Sequence, residues 1–249
     1  MEATEIQKLA ALEDTHWWYR ERRALLARTL RRLATGRTGR WALDIGAAGG
    51  GNTRVLGAHG WRPIALEYSP AGARIAVDRG LPTIRADARC LPLPSASLDL
   101  VVAFDILEHI DEDHLAAAEI RRTLRPGGTA LIAVPCDMRL WSAHDEAVGH
   151  VRRYDPRGLT ELIERAGLVI DELWSWNVLL RPIAAWRRRR STGSDLDNLP
   201  GLVNLGLRTV ITAERYLPVR SLPGVSLILR AHRPAAHRPA SHAGPCAGR

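Results

Sequence analysis

Three histidines of this 249-residue chain stand where a proton could be moved: His109 follows Glu108, His144 precedes Asp145, and His150 lies two residues before Arg152. An imidazole ordinarily titrates near neutral pH, so each is a candidate catalytic base. Asp145, Arg153 and Tyr154 share the stretch from Trp141 to Tyr154 with two of them and are candidate substrate ligands. An arginine there would suit an acidic group. A second set of residues is made of carboxylates. Asp44, Glu67, Asp87 and Asp105 each stand at or near the end of an apolar run. Glu67 comes about 20 positions after a glycine-rich turn, the spacing at which a carboxylate accepts hydrogen bonds from both hydroxyls of a ribose. Tyr68 could lie against an adenine face, Asp87 could accept the adenine amino group, and the N–H of Ala88 could reach a ring nitrogen. Together these residues describe a site for an adenosine-bearing ligand.

The elements that must hold them can be read from the pattern. The run Trp41–Ile45, the turn from Gly46 through Ala48 to Gly50, and the helical stretch Thr53–His59 make a buried strand, a tight turn and a helix whose free N–H groups face the ligand. Nicotinamide and flavin enzymes use a similar turn. Pro63–Glu67 is a second strand; Ser69 caps a helix that starts at Pro70 and runs to Arg79; Leu81–Ala88 is a third strand. Leu98–Phe104 has no polar residue after Asp99, as expected of a central parallel strand buried on both faces. A helix reaching Leu124 and a strand Thr129–Val134 follow. No helical or strand period organises Trp141–Tyr154, which reads as a loop over the strand ends, where open α/β sheets bind ligands. Pro156–Ala166 is a helix and Leu168–Trp174 a sixth strand. Ahead of the first strand, residues 4–16 and 24–33 are helical in pattern and flank His16-Trp17-Trp18-Tyr19. Two roles are open to these aromatics: pinning the N-terminal helices to the domain, or offering a cation an aromatic face.

Hydrophobic residues make up 46% and charged residues 25% of the chain, as in ordinary soluble proteins. Cys90, Cys136 and Cys246 are scattered and odd in number, which argues against a disulfide framework and for a reducing, cytoplasmic setting. No signal peptide and no spanning helix are expected. The net charge of +8 invites a nucleic-acid partner, but Lys8 is the only lysine, so the arginine excess reflects coding composition as much as anion binding.

Ala86-Asp87-Ala88, Phe104-Asp105-Ile-Leu-Glu108-His109-Ile and Leu124-Arg-Pro-Gly-Gly128, taken with Asp44-x-Gly46-x-Ala48-x-Gly50 and Glu67, resemble the motifs of class I S-adenosylmethionine-dependent methyltransferases across residues 41–135. The resemblance departs at Ala48, where the family has glycine. It implies an α/β fold: a doubly wound, Rossmann-like, seven-stranded sheet, mostly parallel with an antiparallel last strand. It implies S-adenosyl-L-methionine as cofactor, held by Asp44, Gly46, Ala48, Gly50, Glu67, Asp87 and Ala88, with Asp105 near the methionine amino group. Tyr19 and Arg23 share a helical face in a lid-like segment, and Arg23 could pair with the methionine carboxylate.

The expected organisation is one domain over 1–231, with a helical lid (1–40), a core (41–175), a helical insertion (176–216) and a last strand (217–231), then a disordered tail (232–249). Transfer to a small-molecule acceptor with a histidine base is the leading expectation. An amphiphilic acceptor met at a membrane surface is the alternative, motivated by the apolar run Trp176–Trp186 ending in four arginines. A nucleic-acid methyltransferase is disfavoured, because Phe104-Asp-Ile-Leu replaces the Asn-Pro-Pro-Tyr type of motif that stacks on a flipped base. Asp105-x-x-Glu108-His109 is similar to the metal-ligand segment of some ubiquinone-pathway O-methyltransferases, though no metal is expected here. The oligomeric state is left open.

Overall fold

The computed structural model describes residues 3–33, 39–189 and 199–235. Two helices, α1 (Ala3–Leu12) and α2 (Trp17–Arg32), precede β1 (Trp41–Ile45), α3 (Gly51–Ala58), β2 (Arg62–Glu67), α4 (Pro70–Asp78) and β3 (Thr83–Arg85). The second half runs through β4 (Leu98–Phe104), α5 (Asp113–Thr123), β5 (Leu124–Pro135), α6 (Ala143–Val148), α7 (Pro156–Arg165) and β6 (Val169–Trp176). It closes with α8 (Arg181–Arg188), α9 (Gly201–Ala213) and β7 (Ser226–His232). The strands form one seven-stranded sheet in the order β3-β2-β1-β4-β5-β7-β6. β1 to β5 pair in parallel, and β7 inserts antiparallel between β5 and β6. This is the doubly wound sheet expected.

Alternation along β4 shows how two apolar layers form on one strand. Leu100, Val102 and Phe104 pack with Leu26 and Leu30 of α2 and Leu56 of α3. Val101 and Ala103 face the other way, toward Ile120 of α5 and Leu159 and Ile163 of α7. With both faces covered, the strand tips are the open end of the sheet, and β1, β2 and β4 present Asp44, Glu67 and Asp105 at or just past that end.

Some boundaries differ from expectation. The third strand shrinks from Leu81–Ala88 to Thr83–Arg85, because only these residues lie beside β2 in register. Trp17, Trp18 and Tyr19 belong to the first turn of α2, which thus starts ahead of the expected residue 24, and Nδ1 of His16 caps that turn by accepting from the Trp18 N–H at 3.4 Å. The stretch Trp141–Tyr154 is not all loop, since α6 forms within it. The side chain of Asp145, in the first turn of α6, accepts from the Ser142 N–H at 2.9 Å. Six residues are too short to show a period, so the cap rather than the pattern makes this helix. At the chain's end, Arg233 continues the backbone pairing of β7 with Gly127 and Gly128, so the expected tail does not begin at 232. Residues 236–249 of that tail and residues 190–198 of the expected insertion lie outside the described residues.

Candidate active site

The strand tips open into a cavity of about 790 Å³, roofed by α1, α2, α8 and α9. At its first end the glycine turn is shaped by lack of room. Gly46 sits at φ 72°, and a Cβ there would lie 1.8 Å from Cδ1 of Ile106. Gly50, at φ 81°, is crowded in the same way by Leu81 and lies behind the cavity wall. Ala48 adopts φ 45°, left-handed backbone that an L side chain enters at a cost of about 1 kcal/mol. Its N–H donates to Oε2 of Glu67 at 2.8 Å, while Oε1 accepts from Ser69 N–H at 3.0 Å. The Glu67 carboxylate is thereby fixed, with lone pairs left over for two hydroxyls. Gly72 makes space for it, as a Cβ at that position would meet the Glu67 side chain at 2.8 Å.

Asp44 is buried beneath the turn, where its Oδ2 accepts from the Thr53 hydroxyl at 2.6 Å and its Oδ1 has no hydrogen-bond partner among the described residues. Loss of water pushes its carboxyl up to about 7, against the lowering by Thr53 and Asn52. Asp87 and Ala88 line the cavity with the exposed Tyr68. Asp87 is gripped by Arg89, whose Nη2 lies 2.7 Å from Oδ2 and whose hydrogen bonds hold the carboxyl below its ordinary range.

The lid supplies a residue that sequence reasoning missed. Arg22, buried in α2, forms an ion pair with Asp105, and its guanidinium lies between 5.1 and 5.6 Å from the ring centres of Trp176, Phe104 and Trp18. Asp105 is therefore engaged by an arginine, and its own backbone is left-handed at φ 57°. The spacing of Trp18 and Arg22, four residues apart on a helix, was the one signal available. Arg23, the arginine singled out from the sequence, lines the cavity with Tyr19 but also bonds the Glu13 carbonyl and pairs with Asp14 at 3.3 Å. Glu13 is buried, pairs with Arg54 and Arg79, and ties the end of α1 to the glycine turn, where Arg79 also reaches the Gly49 carbonyl.

At the other end of the cavity His109, His144 and His150 come together, with ring centres 4.7 Å apart for His109 and His150 and 6.2 Å for His144 and His150. Nδ1 of His150 donates to Oδ1 of Asp145 at 2.8 Å. An acceptor carboxylate at Nδ1 fixes the tautomer, with Nε2 as the other ring nitrogen 3.8 Å from Oε1 of Glu108. Asp145 is in turn held by Arg153, through Nε at 2.9 Å and Nη2 at 3.0 Å. His109 donates from Nδ1 to the Gly149 carbonyl at 3.1 Å. Burial, and next the neighbouring His150, pull it down to about 4, so it is a weak base at neutral pH. Glu108 is fully buried beside them, and neither carboxylate oxygen has a hydrogen-bond partner among the described residues. Burial and then the nearby Asp105 raise its pKa well above the ordinary carboxylate value.

The expected substrate ligands separate here. Arg153 lines the cavity, whereas Asp145 is buried behind the wall as a support for His150. Tyr154 is also buried, with its hydroxyl donating to Oδ2 of Asp113 at 2.7 Å and within 3.2 Å of the Leu107 carbonyl oxygen. Neither Asp145 nor Tyr154 lines the cavity. Glu108, His109 and His150 each bring one donor atom within 4.8 Å of the others, so this trio could hold a cation. Asp105, part of the metal-like segment in the sequence, is instead bound up with Arg22.

A family profile described as "Methyltransferase domain" matches residues 17–173. The chain is 30% identical to an S-adenosylmethionine-dependent methyltransferase of Mycolicibacterium smegmatis over 66% of its own length and 64% of that protein's. It is 23% identical to the 2-methyl-6-phytyl-1,4-hydroquinone methyltransferase of Synechocystis, over 72% of its own length and 62% of the relative. Among solved structures, a chain from the Haloferax volcanii complex of the Trm112 methyltransferase activator with a methyltransferase shares the fold. Its TM-score is 0.64 at 20% identity, covering 95% of this chain and 96% of that one. The chain belongs to the class I S-adenosylmethionine-dependent methyltransferases. It spans less than two thirds of the length of the curated relatives named above. No helix among the described residues is long and apolar enough to cross a membrane.

Proposed function

We propose that the chain transfers a methyl group from S-adenosylmethionine to a small-molecule acceptor, with His150 as the general base. The observation that carries this reading is the Asp145–His150 pair opening into the same cavity as the glycine turn and Glu67. The cofactor, when bound, supplies a methyl already activated on a sulfonium. The crowded glycine turn and the buried Asp44, whose Oδ1 lacks a partner among the described residues, fit its polar end, and the anchored Glu67 fits a ribose. What remains for the chain is to seat the acceptor, exclude water and receive its proton. Nε2 of His150 takes that proton, and Asp145 then faces an imidazolium across 2.8 Å, which stabilises the charged ring. His109 and His144 border the same space, with Glu108 at its edge.

The test is H150Q, assayed with an acceptor selected from a small-molecule panel by release of S-adenosylhomocysteine. The rate of methyl transfer is expected to fall by about 100- to 10,000-fold, the usual contribution of a positioned base. An unchanged rate refutes the assignment. Dialysis of the wild-type chain against a chelator is expected to leave the rate intact; a loss restored by zinc or magnesium would instead make His150 a metal ligand.

A further inference from the structure

The two helices that roof the acceptor end are unusual on their outer sides. α9 carries one charged residue, Arg208, in thirteen. Asn204 on its inner side accepts from the Trp17 N–H at 2.7 Å, Ile211 is buried, and Leu207 lines the cavity. The outer side presents Leu202, Val203, Leu205, Gly206, Thr209 and Val210, an arc with no charge. Leu202 is 85% and Leu205 58% exposed. A helix apolar all round is ordinarily buried on every side, and this one is not. α8 repeats the arrangement: Ala184 and Arg188 face the cavity, while Ile183 and Trp186 are 54% and 59% exposed. Neither helix contains an acidic residue; Arg187 and Arg188 at the end of α8 line the cavity, where Arg188 donates to the Leu140 carbonyl at 3.0 Å, and Arg189 beyond them is exposed. An apolar face with a tryptophan and the exposed Arg189 beside it matches the chemistry of an anionic membrane surface: apolar side chains enter the acyl boundary and the guanidinium meets phosphate. The chain's net charge of +8 adds attraction of the same sign.

We propose that the outer faces of α8 and α9 seat the chain on an anionic phospholipid bilayer, and that its acceptor is an amphiphile whose apolar part reaches the cavity between these helices. Ala184 and Leu207, on the inner sides of the same two helices, line the cavity. The acceptor class rests on the methyl-transfer reading above; the membrane contact does not.

The experiment is co-sedimentation of the full chain with vesicles of phosphatidylcholine alone and of phosphatidylcholine containing phosphatidylglycerol, for wild type and for the double variant L202S/L205S. Both leucines are exposed, so the variant should keep its fold, checked by its melting temperature and by its affinity for S-adenosylhomocysteine. The wild type is expected to pellet with the anionic vesicles, less so as salt is raised. The double variant is expected to bind them about tenfold more weakly or worse, with unchanged affinity for S-adenosylhomocysteine. A wild type that stays in solution with both vesicles overturns the proposal, as does a variant that pellets equally well. So does a wild-type dimer that the double substitution dissociates without any vesicle binding, which would assign the face to a second copy of the chain. Loss of affinity for S-adenosylhomocysteine in the wild type would count against the methyl-transfer reading alone.

Discussion

The two ends of the cavity are built by different means. At the cofactor end, the groups come from the tips of successive parallel strands and from the backbone of one turn, so the sheet itself sets their positions. At the acceptor end, they come from a 3-10 turn after β4, a six-residue helix and the segment behind it, held together by side chains: Arg153 on Asp145, Asp145 on His150 and on the Ser142 N–H. A sheet tolerates the loss of one tip residue. A chain of buried polar contacts does not, because each member leaves its neighbour unpaired.

The largest effect is therefore expected at the acceptor end. R153M would leave the fully buried Asp145 carboxylate without its arginine. Breaking such a pair from one side costs about 3–5 kcal/mol, so the melting temperature should drop markedly, and by more than in E67Q at the other end, where one backbone N–H loses its acceptor. A melting temperature as high as that of the wild type would mean that the acceptor end is not a network at all.

E67Q sharpens the comparison from the cofactor side. Its amide keeps the shape but weakens charge-assisted bonds to hydroxyls, at about 1.5–3 kcal/mol, or roughly 10- to 150-fold in cofactor affinity by calorimetry. Equal affinity would remove Glu67 from the ribose site.

A smaller effect concerns Asp44. Its folded carboxyl is raised from 3.8 to about 7, so between those values the folded chain holds a proton that the unfolded chain has released. Stability from this group is then greatest below about pH 4, falls as pH rises toward about 7, and is flat above. In the ligand-free protein, D44N should remove this slope: its melting temperature relative to wild type is expected to be higher at pH 8 than at pH 5. A constant difference would mean that Asp44 titrates normally.

The same contrast explains what could be read from the sequence. Apolar runs ending in Asp44, Glu67 and Asp105 announce a parallel sheet, and Glu67's distance from the glycine turn announces its partner. Those signals are local, and the sheet order agrees with the first of them. Arg22 was passed over for Arg23 because two adjacent arginines look alike until the helix is docked and Trp18, Phe104 and Trp176 surround one of them. Asp145 looked like a substrate ligand because nothing in its sequence discloses that Arg153 and Ser142 already claim both its oxygens. α6 lacked a period to betray it, and the exposed side of α9 could be judged only once its inner side was placed.

The central claim is that one cavity holds the cofactor by its strand-tip acids and works on the acceptor through a separate histidine. Calorimetric titration of S-adenosylhomocysteine into wild type, E67Q and H150Q tests it without needing the acceptor. The account predicts binding to the wild type, a loss of roughly tenfold or more in E67Q, and wild-type affinity in H150Q. Failure of the wild-type chain to bind, or equal weakening in both variants, would contradict it.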